Sequence, residues 1–153
     1  IGTEDDIATM LDAVNNPHNG LTFCAGSLSA GEHNNVSAMA RRFADRTHFV
    51  HLRSCHIFPD GNFTEASHLG GRADLVELCR IFEEAEQTGK PNSGHRLPMR
   101  VDHGMTMLGD EARGYNAGYS FLGRMFALGQ VQGMMAAVDK ELGISYHQPG
   151  FWE

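Results

Sequence analysis

Three short apolar runs in this chain each end on side chains that can do chemistry. Leu21-Thr22-Phe23 leads to Cys24, His48-Phe49-Val50 leads to His51 and Arg53, and Leu97-Pro98-Met99 leads through Arg100 and Val101 to Asp102, His103 and Gly104. Buried strands do not usually end in so many polar groups, because desolvating them is costly. Cys24, His51 and Asp102 together make a sulfur, nitrogen and oxygen donor set. A divalent transition metal accepts that mixture, whereas Mg2+ or Ca2+ disfavours the thiolate. Arg53, on the same strand face as His51, suits bidentate capture of a carboxylate. His103 adds an acid–base group directly after Asp102.

Each residue also has a plainer reading. Cys24 could be a small buried hydrophobe, and His51 a hydrogen-bonded strand histidine. Asp102-His103-Gly104 is also ordinary turn chemistry, and Arg100 could pair with Asp102 structurally. Glu65 and His68, three apart in a long loop, fit either a solvated loop or a lid that closes over substrate. Tyr119 could be a core aromatic or a phenol placed for proton transfer. Cys79, in the middle of a helical stripe, reads as core, and Cys55 falls in the loop after Arg53.

The elements that must position these groups follow from periodicity. Thr3 with Asp6 resembles a capping box, and Ile7, Met10, Leu11 and Val14 give an amphipathic stripe that Asn15-Asn16-Pro17 stops. Leu21–Cys24 reads as a strand and residues 25–33 as a loop. Val36, Met39, Ala40 and Phe43 mark a second helix. In the strand 48–53, Phe49, His51 and Arg53 share one face, with His48, Val50 and Leu52 on the other. Residues 54–71 form a loop longer than most connections. Leu75, Leu78, Cys79 and Phe82 mark a third helix over about 74–86, followed by a polar linker at 88–94. The strand ending at Asp102 leads through a Gly- and Met-rich loop to a last helix over about 120–142. Its expected packing stripe is Leu122, Met125, Phe126 and Gly129, and its methionines read as core. Helix, then strand–helix three times, predicts a parallel sheet with right-handed crossovers, in which ligands gather at the strands' C-terminal ends.

Composition removes several function classes. The 153 residues fit one domain, with 41% hydrophobic residues for a core and a formal net charge of −7. That balance opposes a nucleic-acid footprint or binding to an anionic membrane surface. No apolar run approaches the ~18–20 residues needed to span a bilayer. The start at Ile1 shows no basic-then-apolar leader pattern. Three cysteines without a CxxC pair predict a reducing, cytoplasmic setting.

Five ordered motifs carry a resemblance beyond this physical reading. Gly20-Leu21-Thr22-Phe23-Cys24-Ala25-Gly26-Ser27, His48-Phe49-Val50-His51-Leu52-Arg53-Ser54, Glu65-Ala66-Ser67-His68-Leu69, Val101-Asp102-His103-Gly104 and Gly118-Tyr119-Ser120 together resemble the C-terminal part of the mannonate dehydratase family. The resemblance runs from about Thr3 to Gly143. It implies an α/β fold of parallel βα units, about three strands forming the C-terminal portion of a (β/α)8 TIM barrel of the xylose-isomerase-like class. Residues 1–143 would be the barrel part and 144–153 a tail. It implies a carbon–oxygen lyase in carbohydrate metabolism, a hydro-lyase that dehydrates D-mannonate to 2-keto-3-deoxy-D-gluconate with Mn2+ or Fe2+. Cys24, His51 and Asp102 would be metal ligands, His103 and Tyr119 the acid–base pair, and Arg53, Glu65 and His68 substrate contacts. Val101 and Ala117 stand where the family usually has proline. Such a barrel takes ~250 residues, and the family's fourth ligand, a histidine, lies upstream of the matched region. The expected partners are therefore a small sugar acid and either a homo-oligomeric copy or an N-terminal barrel half, with no nucleic acid and no membrane. Two alternatives stand beside this reading. One is a metal-dependent sugar isomerase of the same barrel class, against which Cys24 speaks; the other is a catalytically silent fragment or binding module.

Overall fold

In the computed structural model, which describes residues 1–89 and 96–145, the sheet is built by β1 (Leu21–Cys24), β2 (Thr47–His51) and β5 (Met99–Arg100). All pairings in it are parallel and the order is β1-β2-β5. The register sets Cys24 beside His51 and His51 beside Arg100. Three chemically active strand ends are thus brought level. Among the described residues, neither β1 nor β5 has a strand on its outer side.

Helices α1 (Glu4–Ala13), α3 (Val36–Phe43), α4 (Leu75–Gln87) and α5 (Phe121–Leu142) supply the rest of the core. Thr3 and Asp6 form the expected capping box at α1, and Asn35, Asp74 and Ser120 cap the other three helices through their side chains. Phe23 and Val50 from the strands, with Leu52 just past β2, enter one cluster with Met39, Phe43, Leu78, Phe82 and Val131. Phe23 and Phe82 meet edge to face at 5.4 Å. Cys79 is fully buried in this cluster, and burial pushes its thiol up to about 12, so it is inert core.

In the connections and the last helix the structure departs from expectation in three places. Residues expected to be loop after Cys24 begin with a one-turn helix, α2 (Ala25–Ser29). The expected loop 54–71 contains an antiparallel hairpin of β3 (Cys55–Ile57) and β4 (Phe63–Glu65), turning at Gly61 with φ +84°. Its strands are too short and too polar to show a period-2 pattern. The third departure is the face of α5. Leu122, Met125 and Phe126 are 40–54% exposed, and the core is reached instead by Ala127, Val131, Met134 and Val138. Met134 is thus core as expected, whereas Met125 is not. The helix is apolar on both sides, so periodicity alone does not choose between them. Close approach chooses: a side chain at Gly123 would stand 2.0 Å from the Met105 carbonyl oxygen, so only glycine lets the helix seat against that loop. Part of the expected 88–94 linker lies outside the described residues, as does most of the 144–153 tail.

Between α4 and α5 lie two buried carboxylates, Glu83 and Asp139, whose side-chain oxygens have no hydrogen-bond partner among the described residues. Burial first, then Asp139 and Glu86, push Glu83 up from 4.5 to about 7. The folded chain therefore holds a proton on Glu83 that the unfolded chain releases above about pH 4.5. The resulting stability is present at low pH and lost as pH rises through about 7. A shift of that size corresponds to about 3 kcal/mol. Denaturant unfolding at pH 5 and pH 8 should show the chain weaker at pH 8, with a smaller difference in Glu83→Gln; an unchanged difference in that variant would assign the effect to other groups.

Candidate active site

The C-terminal ends of β1, β2 and β5 place Cys24, His51 and Asp102 so that one donor atom from each lies within 4.8 Å of the others. Cys24 and His51 arrive there by strand register alone. Asp102 arrives differently. It lies two residues past the end of β5 and has φ +59°, a left-handed conformation that aspartate tolerates better than most residues but that still carries strain. That turn swings its carboxylate back over β2, where Oδ2 is 3.4 Å from His51 Nδ1 and 3.1 Å from Arg53 Nε. Arg100 reaches its other oxygen at 3.3 Å.

Three half-buried groups of different chemistry thus lie close enough together to share one metal ion. Burial lowers the pKa of His51 although Asp102 opposes the shift, which keeps the imidazole neutral and its lone pair available. The cluster is therefore competent as a donor set for one divalent ion.

Arg53 lies beside the donors, its Nε 3.1 Å from Asp102, and is 8% exposed. β2 ends at His51, so Arg53 lies beyond the strand rather than on it. Its Nη1 donates to Glu65, its Nη2 donates to Ser27 Oγ at 3.2 Å, and its Nε faces Asp102 off-line, close enough for charge pairing but without a formed hydrogen bond. Burial works against the Arg53 charge, but Cys24, Glu65 and Asp102 more than offset it and hold its pKa above the ordinary arginine value. The fork expected to grip a substrate carboxylate is occupied by protein groups. Glu65 is likewise engaged. Burial raises its pKa against the pull of Arg53 and His103, and its Oε1 is 3.3 Å from His103 Nδ1. Glu65 thus faces one nitrogen of the His103 ring, and Nε2 lies on the side of Asp102, 3.7 Å away.

Tyr119 joins from the loop before α5. Its ring lies 4.8 Å from that of His103, and 53% exposure leaves the phenol open to a bound molecule. Two features hold it there. Gly104 pairs with the Gly118–Tyr119 segment, its N–H donating to Gly118 O at 3.1 Å. Gly118 has φ +80°, a conformation that favours glycine, and a side chain there would also crowd His103 Nδ1 at 3.0 Å. Behind the loop, buried Asp110 accepts from Met107 N at 2.6 Å; the Ser120 hydroxyl, on the N-cap of α5, and this backbone bond hold its carboxyl below the usual range.

His68 is not brought to the donors. It is 3% exposed, with Nε2 3.3 Å from the Val101 carbonyl and its own N–H bonded to Gln130, so it braces the loop against β5 and α5. Burial holds its pKa low. Cys55 is buried against Ser29 and pairs in the β3–β4 hairpin with Glu65. Two contributors were not singled out from the sequence, Ser27 and Asp110. For Ser27 the available signal was its position three residues after Cys24, and for Asp110 there was none.

A family model described as D-mannonate dehydratase (UxuA) matches residues 1–145. Mannonate dehydratase 2 of Agrobacterium fabrum is 38% identical over 143 residues, covering 93% of this chain and 36% of its own length. The mannonate dehydratase of Saccharophagus degradans is 41% identical over 143 residues, covering 91% of this chain and 36% of its own length. The solved structure of mannonate dehydratase from Streptococcus suis serotype 2 covers 100% of this chain and 44% of its own, with a TM-score of 0.79 and 23% identity, a likeness of fold. The chain thus spans about a third of the length of the curated relatives it matches.

Proposed function

This chain belongs to the D-mannonate dehydratase (UxuA) family, and we propose that it forms the C-terminal part of a (β/α)8 hydro-lyase that converts D-mannonate to 2-keto-3-deoxy-D-gluconate. The observation that carries this reading is the convergence of Cys24, His51 and Asp102 within 4.8 Å at the C-terminal end of a parallel sheet, the end at which such folds act. In this reading residues 1–143 belong to the barrel and 144–153 form a tail.

Cys24, His51 and Asp102 would hold Mn2+ or Fe2+, and a bound divalent ion would stabilise negative charge that develops beside the substrate carboxylate. The reaction removes the proton at C2 and the hydroxyl at C3; the resulting enol becomes the 2-keto product. His103 and Tyr119 face the same space and are suited to take the proton and to protonate the departing hydroxyl. Glu65 keeps the His103 ring in one orientation. Arg53 gathers Glu65, Asp102 and, through Ser27, Cys24 into one charged frame, and half-exposed Arg100 is better placed than Arg53 to meet a substrate carboxylate. In this account Glu65 and His68 act through their neighbours rather than on substrate.

Among the described residues no strand pairs with the outer side of β1 or β5, which supports completion of the barrel by further strands that would also bring the remaining ligand. Among the described residues no helix is long and apolar enough to cross a membrane. The three free cysteines fit the cytoplasm. The test is product formation from D-mannonate by the intact protein with Mn2+ or Fe2+, measured as keto-deoxygluconate. Turnover that disappears with a chelator and returns with metal is expected. Metal binding without turnover would favour a silent relative, and turnover insensitive to chelation would overturn the metal-dependent reading.

A further inference from the structure

Ser27 occupies a place in the site that none of the donors explains. It lies on the first turn after Cys24, and its hydroxyl is in two hydrogen bonds: Oγ accepts from Arg53 Nη2 at 3.2 Å and donates to Cys24 Sγ at 3.2 Å. The directions are fixed by chemistry. A guanidinium has donors and no acceptor, so the hydroxyl must offer Arg53 a lone pair, and its single proton is then free to point at sulfur. Arg53 cannot rotate away, because it is buried, is held at its other end by Glu65, and packs on Gly26 so tightly that a side chain there would stand 2.4 Å from Arg53 Cγ. The chain Arg53–Ser27–Cys24 is therefore an oriented line of donors ending on the sulfur.

We propose that Ser27 is a positioning residue for the metal site: its hydroxyl, oriented by Arg53, fixes the Cys24 side chain and tunes how strongly its sulfur donates to a bound ion. This rests on the reading of Cys24 as a ligand. A hydrogen bond to a ligating sulfur draws electron density from it and fixes its direction, and outer partners of this kind typically change metal affinity ~10–100-fold. The same guanidinium faces Asp102 at 3.1 Å, so one side chain would couple the sulfur and carboxylate ligands.

Co2+ is the probe, because a thiolate bound to it gives a sulfur-to-metal charge-transfer band in the near ultraviolet. In the intact protein, Ser27→Ala is expected to move that band to longer wavelength and to weaken Co2+ binding about 10-fold, while Ser27→Thr, which keeps the hydroxyl, restores both. Far-ultraviolet circular dichroism of each variant separates these changes from loss of fold, which would remove the band rather than shift it. A parent band that is unchanged in Ser27→Ala overturns the role of Ser27 and leaves the ligand reading standing. A parent protein that binds Co2+ with no such band, or whose band survives Cys24→Ser, overturns both.

Discussion

Tyr119→Phe is expected to keep the bound metal of the intact protein and to lower turnover of D-mannonate by ~10²–10⁴-fold, the range in which a positioned acid or base contributes. The substitution removes one oxygen from a ring that is 53% exposed and whose backbone, not its hydroxyl, is tied to Gly104 and Asn116. Fold and metal content should therefore match the parent, and the loss should appear in kcat rather than KM. His103, 4.8 Å away ring to ring, would still be held by Glu65 in the variant, so residual turnover reports what one proton-transfer group achieves alone. Unchanged turnover would refute the role of Tyr119.

Asp102→Asn should instead strip the metal. Asparagine tolerates the left-handed backbone that Asp102 adopts at φ +59° about as well as aspartate does, so the loop survives. What is lost is the charge. In the parent that carboxylate lies between His51 at 3.4 Å, Arg53 at 3.1 Å and Arg100 at 3.3 Å. Without it, two arginines face the donor site with one anion fewer to balance them, and a cation is repelled as well as deprived of a ligand. The expected fall in metal affinity exceeds the ~10–100-fold typical of outer partners. Metal analysis after dialysis reads it directly, and a content equal to the parent's would remove Asp102 from the donor set. His51→Ala should likewise reduce bound metal, with the backbone of β2 undisturbed.

The sequence made the sheet legible because apolar runs and helical stripes are local signals. Leu21–Cys24 and the α3 and α4 stripes fall where periodicity puts them, as do Ile7 and Leu11 of α1, whereas Val14, expected on that stripe, caps the helix and is exposed. The convergence of Cys24 and His51 was also legible, since parallel strands in register bring their ends level. Asp102 was legible as a strand-end residue but not as a strained one: its positive φ is imposed by the turn into Gly104, which no side-chain pattern announces. Arg53 shows the opposite limit. Its type and position suggested a substrate clamp, yet its donors are taken up by Glu65 and Ser27, residues 12 and 26 positions away. Which partner occupies a guanidinium is a tertiary fact. The face of α5 was illegible for a different reason: with apolar side chains all round, the choice rested on the absence of one at Gly123.

The claim on which everything else depends is that Cys24, His51 and Asp102 bind one divalent ion together. X-ray absorption at the edge of a metal loaded into the intact protein tests it most directly. The account predicts one sulfur scatterer among nitrogen and oxygen neighbours at one ion per chain, with the sulfur contribution lost in Cys24→Ser. A coordination sphere of nitrogen and oxygen alone in the parent protein would contradict it.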